Sequence, residues 1–205
     1  MKNIFWDFDG VIIDSMKVRD LGFRQLFNEF NKDQIDQLIR YHNDNGGLSR
    51  YVKIKYFYNN ILGKSISKDD IQKYALIFSK LMREKLVNPN YLISDTISFL
   101  QKNKKKYNFH IVSGSDQEEL RFLCDELNIS KYFLSINGSP TPKNDLVLNL
   151  LNLFNINKSD TCLIGDSIND YEAAIINDIS FFGFNNLKLK KLDSNYILKF
   201  EYFQF

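Results

Sequence analysis

Asp7-Phe8-Asp9-Gly10-Val11 sets two carboxylates two residues apart, directly before a glycine. Ile4 to Phe8 is apolar except at Asp7, which suits a strand buried on both faces and places Asp7 at its carboxyl end. Open α/β sheets bind their ligands at that end. A carboxylate in such a strand is costly unless it is paired, hydrogen-bonded or metal-bound. Two close carboxylates also divide their work well: one as nucleophile or metal ligand, the other as general acid/base. The plainer alternative is a strand end with two solvated Asp side chains, so the motif needs support elsewhere.

Three later segments supply it. Val112-Ser113-Gly114-Ser115 follows an apolar run and offers a hydroxyl and backbone N–H groups to an anion. Gly165-Asp166-Ser167-Ile168-Asn169-Asp170 follows another run and adds two carboxylates. Lys143 comes after Pro140-Thr141-Pro142, at the start of a helical pattern. Acids, one Lys and one Ser at the ends of parallel strands suit Mg²⁺ and phosphate; without His or Cys, the oxygen-only set favours Mg²⁺ over Zn²⁺.

The elements that must position these groups are legible in outline. Strands are expected at Ile4–Phe8, Phe109–Val112, Thr161–Ile164 and Ser180–Phe184. Helical patterns lie between them at Gln117–Leu127, capped by Asp116, at Leu146–Phe154 and at Asp170–Ile176. That alternation implies a parallel sheet with helices on both faces. Residues 15–86 break it with helices alone, at Met16–Phe30, Asp33–His42, Ser49–Ile61 and Lys68–Leu86. The expected fold class is therefore α/β, a Rossmann-like parallel sheet core (1–14 and 87–205) with an inserted α-helical cap (15–86).

The four motifs, in this order, resemble the haloacid dehalogenase superfamily over the whole chain, in the branch with a small helical cap after the first strand. The resemblance implies that Asp7 attacks phosphorus and forms an aspartyl-phosphate, while Asp9 protonates the leaving oxygen and then activates water. Ser113, Gly114 and Lys143 would hold phosphoryl oxygens. Asp7, Asp166, Asp170 and the Asp9 carbonyl would surround Mg²⁺, with Asp170 also steadying Lys143. Relatives place the third-motif Lys before Pro, in K-P-x-P; here it follows the prolines, and Lys131 is the alternative to Lys143.

Asp9 and the Asp166/Asp170 pair argue against dehalogenation, whose enzymes lack the second Asp and the metal. A phosphonatase would need a cap lysine to form a Schiff base; Lys53 and Lys55 are read as surface lysines. Gly46-Gly47-Leu48-Ser49-Arg50 is similar to the G-x-S-R segment in caps of β-phosphoglucomutase-like enzymes, which makes Arg50 a substrate-anion ligand. His42 and Asn43 are weaker candidates. The implied function is a Mg²⁺-dependent phosphatase acting on a small phosphorylated metabolite such as a sugar phosphate or phosphoglycolate. A β-phosphoglucomutase-type phosphomutase and a non-catalytic regulator are the alternatives.

Composition fits that reading. The 205 residues carry 27 Lys plus Arg against 25 Asp plus Glu, a net charge of +2, which leaves no electrostatic footprint for nucleic acid or a membrane surface. With 18 Phe and 11 Tyr but 9 Gly and 3 Pro, disorder and a disulfide scaffold are excluded. Cys124 and Cys162 are read as packing residues in a reduced, cytoplasmic protein, a monomer or homodimer. His110 is read as a core histidine and Lys102–Lys106 as a solvated helix end. Tyr51, Ile54, Tyr56, Phe57 and Tyr58 are read as cap core, and Tyr196–Phe205 as an edge strand.

Overall fold

A computed structural model describes residues 2–192 and 195–203. Its centre is β1 (Asn3–Trp6), flanked by β2 (Asn108–Asp116) and β4 (Thr161–Gly165). β3 (Ser135–Ser139) extends the sheet beyond β2, and β5 (Ser180–Phe184) and β6 (Asn195–Ile197) extend it beyond β4. The order is β3-β2-β1-β4-β5-β6 and every pairing is parallel. The chain therefore steps outward from β1 to β3, returns to the centre, and steps outward the other way. The crevice at that reversal is where a parallel sheet receives a ligand.

Period-two alternation sorts the sheet's side chains between two layers. Ile4, Trp6, Cys162 and Ile164 join one core, with Phe99 and Leu100 of α5 (Ser94–Asn103) and Leu120 and Leu123 of α6 (Gln117–Glu126). Phe5 and Leu163 face the other, with Leu146 and Val147 of α7 (Lys143–Leu153) and Ala173 and Ala174 of α8 (Ile168–Ile176). Both cysteines are buried thiols. His110 donates or accepts with Ser135 Oγ at 2.8 Å and packs on Phe5, as expected of a core histidine.

Between β1 and α5 lie α1 (Met16–Leu26), α2 (Lys32–Asp44), α3 (Arg50–Tyr56) and α4 (Lys68–Leu86). Their apolar stripes close on Phe23, Phe27, Phe57 and Phe78, all fully buried. Ile54 and Phe57 belong to this core, and Tyr56 stacks on Tyr41 at 3.6 Å. Ser49 and Ser67 cap α3 and α4 through their side chains.

Several boundaries differ from the expectation. β1 stops at Trp6, α1 at Leu26, and α3 passes at Tyr56 into a π-helical turn, Phe57–Ile61. β3, Ser-Ile-Asn-Gly-Ser, was not expected because one apolar residue in five gives no strand signal. α5 begins behind Ile93, which offers no side-chain cap. β6 forms an edge of the sheet, but of the edge strand expected at Tyr196–Phe205 it includes only Tyr196 and Ile197; Phe200–Tyr202 turn into a 3-10 helix, and Gln204 and Phe205 lie outside the described residues. Lys104 to Lys106 are exposed beyond the end of α5. Among the described residues no helix is long and apolar enough to cross a membrane.

Candidate active site at the strand ends

Asp7 follows β1 and its N–H still donates to the Ile164 carbonyl at 2.9 Å, so the carboxylate is fixed between β1 and β4. Lys143, the first residue of α7, reaches in from the β3 side. Its ammonium donates to Asp7 Oδ1 at 2.7 Å and to Asp170 Oδ1. Asp170 is oriented by a capping box at the start of α8, accepting from the Ser167 N–H at 3.0 Å and the Ser167 hydroxyl at 2.7 Å. Asp166 follows β4 and presses against Gly10. That glycine has φ +76°, and a Cβ there would stand 2.0 Å from Asp166 Oδ2. Only glycine satisfies both constraints.

Asp7, Asp166 and Asp170 each present an oxygen within 4.8 Å of the others. Three acids share one ammonium, and their electrostatics show it. Burial, reinforced by Asp170, raises the Asp7 carboxyl to about 7 despite Lys143. Burial, with Asp7 and Asp170 beside it, raises Asp166 well above the usual carboxylate range. Lys143 is raised too, which keeps it charged: burial disfavours its charge, but Asp170 and Asp7 outweigh that. Positive charge is what the cluster lacks, and a hard divalent cation with oxygen ligands fits the donor set.

Ser113 and Gly114, on β2, line a cavity together with Asp7 and Asp9. Arg19, His42, Gly46, Gly47, Arg50 and Lys53, from residues 16–86, line it as well. The cavity measures about 20 Å³, the room of one or two water molecules. Gly47 lies directly over β2: a Cβ on Gly114 would stand 2.4 Å from the Gly47 carbonyl oxygen. The helices of residues 16–86 are thus closed down on the strand ends.

Asp9 does not join the acid cluster. Its carboxylate turns toward α1, accepting from the Ser15 hydroxyl, from Arg19 Nε at 2.6 Å and from Ser115 Oγ at 2.6 Å. Burial alone would raise this carboxyl, but the Arg19 guanidinium and the hydroxyls bring it down to about 2. Arg19 continues to Glu119 Oε1 at 3.0 Å, and Arg50 reaches Glu119 Oε2 at 2.5 Å and Ser79 Oγ at 2.7 Å. Glu119, fully buried on α6, therefore ties α1 and α3 to the core. Arg50 lies over the Phe78 ring at 4.8 Å, inside the cavity wall, with its Nε unpartnered.

Lys53 is not the surface lysine expected. It is 3% exposed and lines the cavity, whereas Lys55 is exposed. On α3 the buried set Arg50, Lys53, Ile54 and Phe57 follows helical spacing, which carries Lys53 inward with the apolar residues. Asn43 is exposed on a neighbouring crevice. Lys131 is exposed against the Tyr132 ring; it makes none of the contacts that Lys143 makes. Arg19 and Glu119 were not anticipated, although both stand on otherwise apolar helical stripes: Arg19 with Gly22, Phe23 and Leu26, and Glu119 with Leu120, Leu123 and Cys124.

The profile of the haloacid dehalogenase-like hydrolase family matches residues 4–184. No curated protein matches the sequence. Among solved structures, β-phosphoglucomutase from Clostridium difficile superposes with a TM-score of 0.77 at 18% identity, covering 100% of this chain and 94% of that one. A predicted phosphoglycolate phosphatase from Haemophilus somnus gives 0.72 at 16% identity, covering 98% and 95%. The putative hydrolase YfnB from Bacillus subtilis, described as bound to magnesium with interdomain movement, gives 0.71 at 15%, covering 98% and 95%. At these identities the structural likeness speaks for the fold.

Proposed function

The chain belongs to the haloacid dehalogenase-like hydrolase family, and on that premise we propose that it is a Mg²⁺-dependent phosphatase of a small phosphorylated metabolite. The observation that carries this reading is the Asp7 carboxylate, fixed at a strand end by Lys143 and crowded by Asp166 and Asp170. Residues 15–86 act as the cap. Phosphoryl transfer is mostly in-line positioning and charge neutralisation, and the groups for both are present.

In this reading Asp7 attacks phosphorus in line with the ester bond, which breaks and leaves an aspartyl-phosphate. The Ser113 hydroxyl, the Gly114 N–H and the Lys143 ammonium hold the remaining phosphoryl oxygens. Asp9 donates a proton to the leaving oxygen and later takes one from the water that hydrolyses the aspartyl-phosphate. Bonded to Arg19, Asp9 is an ionised base; to act as the acid it must first part from Arg19, which opening of the cap would achieve. Asp7, Asp166, Asp170 and the Asp9 carbonyl would hold Mg²⁺, which supplies charge neutralisation for the phosphoryl oxygens. Arg50 would take an anionic group of the substrate by exchanging it for Glu119.

The sugar phosphates and phosphoglycolate are the substrates to try first. The purified chain with Mg²⁺ should release phosphate from members of a phosphomonoester panel. Asp7→Asn should lower the rate at least on the order of 10²–10³-fold. No hydrolysis across the panel, or an Asp7→Asn variant as active as the parent, sinks the reading. The fold shared with β-phosphoglucomutase supports a second one, a phosphomutase that returns the phosphoryl group to sugar. Steady phosphate release without a bisphosphate activator rejects it.

A further inference from the structure

Four cations meet in or beside the cavity, and three of them have carboxylate partners. Arg19 pairs with Asp9 and Glu119, Arg50 with Glu119, and Lys143 with Asp7 and Asp170. Lys53 has none among the described residues. Its ammonium donates to His42 Nδ1 at 2.8 Å and to the Gly46 carbonyl at 3.2 Å. A buried lysine without a counter-charge is an expense that packing alone does not explain, since Met would fill the same volume. A protonated lysine has three donors and no acceptor, so His42 must accept, and one N–H is left for the cavity.

We propose that Lys53 is a specificity-determining residue that receives an anionic oxygen on the leaving group, selecting small phosphomonoesters that carry a carboxylate beyond the ester bond. This deepens the phosphatase reading and rests on it. Asp7, Ser113 and Gly114 line the cavity from the strand ends, and Lys53 lines it from α3. A carboxylate there supplies the missing counter-charge without breaking an existing ion pair.

The electrostatic surroundings make the contact sensitive to pH. Burial lowers Lys53 to about 7; Arg19 on α1, Arg50 on α3 and Lys143 on α7 add to that, while Asp9 opposes it. His42 on α2 is held well below its usual range, chiefly by burial and then by Lys53, so it stays neutral. Asp20 on α1 faces His42 at 3.7 Å, and Asp7 and Glu119 complete the charged groups around the wall. Below about 7 Lys53 carries its charge, and above it the charge is lost.

The test compares 2-phosphoglycolate with 2-hydroxyethyl phosphate, which differ in the terminal carboxylate but hardly in size. The ratio of their kcat/KM values cancels the ionisation of the phosphate and of the acid cluster. The wild-type protein should favour the carboxylate about 10- to 100-fold at pH 6.5, the range of a hydrogen bond to a charged group. That preference should fall up to tenfold per pH unit above about 7. Lys53→Met should remove the preference and its pH dependence together; Lys53→Arg should keep the preference and flatten its pH profile. A wild-type ratio near one, or a ratio that Lys53→Met leaves intact, overturns the assignment while the phosphatase reading stands. Failure of the wild-type protein to hydrolyse either ester also overturns the assignment, and hydrolysis elsewhere in the phosphomonoester panel then keeps the phosphatase reading.

Discussion

Replacing Arg19 with leucine tests whether the guanidinium, and not solvent, keeps Asp9 ionised. Arg19 Nε is 2.6 Å from Asp9 Oδ1, and both side chains are nearly buried. The Asp9 carboxyl stands at about 2 in the folded chain, against an ordinary 3.8. At 1.36 kcal/mol per pH unit that difference is about 2 kcal/mol of stability. The sign follows from the depressed value: the contribution is complete well above 3.8 and is lost as pH falls toward 2. By pH 3 about half of it, on the order of 1 kcal/mol, remains. In Arg19→Leu burial is opposed only by hydroxyls, so the Asp9 carboxyl rises and the contribution disappears at every pH. Breaking a buried pair costs about 3–5 kcal/mol near neutrality. The gap between the two proteins should therefore narrow by at least about 1 kcal/mol between pH 7 and pH 3. Urea unfolding at four or five pH values measures the gap directly. A gap constant within about 0.3 kcal/mol across that range, the limit of additivity for independent sites, refutes the reasoning.

Two further outcomes follow from the acid cluster. Asp7 and Asp166 are raised, so without a divalent cation the folded chain holds protons that the unfolded chain has lost; stability then falls as pH climbs from about 4 to about 7. Millimolar Mg²⁺ replaces those protons and should raise Tm more at pH 8 than at pH 5, with EDTA reversing the gain; an equal gain at both would show that the cation binds elsewhere. Gly10→Ala forces a side chain into φ +76° and against Asp166 Oδ2. It should cost at least about 1–2 kcal/mol in backbone strain and weaken Mg²⁺ binding, read by calorimetry, by tenfold or more; unchanged binding would remove Asp166 from the proposed ligand set.

What could be read from residues alone was decided by local contrast. Asp7 stands out because it interrupts an apolar strand, and Lys143 because two prolines precede it; both signals lie within a few positions. Lys53, Arg19 and Glu119 lack such contrast. Each sits on a helix rich in charge, and its burial comes from the side of the helix it occupies, which shows only when the apolar stripe is traced through it. The pairing of Glu119 with Arg19 and Arg50 spans 100 and 69 positions, beyond any pattern local in sequence. β3 escaped for a related reason: Gly138 N–H bonds to Gln117 Oε1 and Ile111 O accepts from Asn137, so the strand is held by hydrogen bonds and not by hydrophobic alternation. Asp9 shows the limit most clearly. Its place two residues from Asp7 suggests a shared task, but no local pattern shows that its carboxylate is held by Ser15, Arg19 and Ser115, apart from the acid cluster.

The centre of the sheet has a consequence for how the chain is made. β1 is synthesised before both of its neighbours, and residues 3–6 wait for partners at 108–111 and 161–164. Until the ribosome has passed β2, Ile4, Phe5 and Trp6 form an apolar ribbon with both hydrogen-bonding edges open, the kind of segment that invites pairing with another chain. The four helices that follow pack on one another and are synthesised before β2 emerges. The closing block, placed over the strand ends in the finished molecule, is thus synthesised whole while β1 still lacks both of its partners.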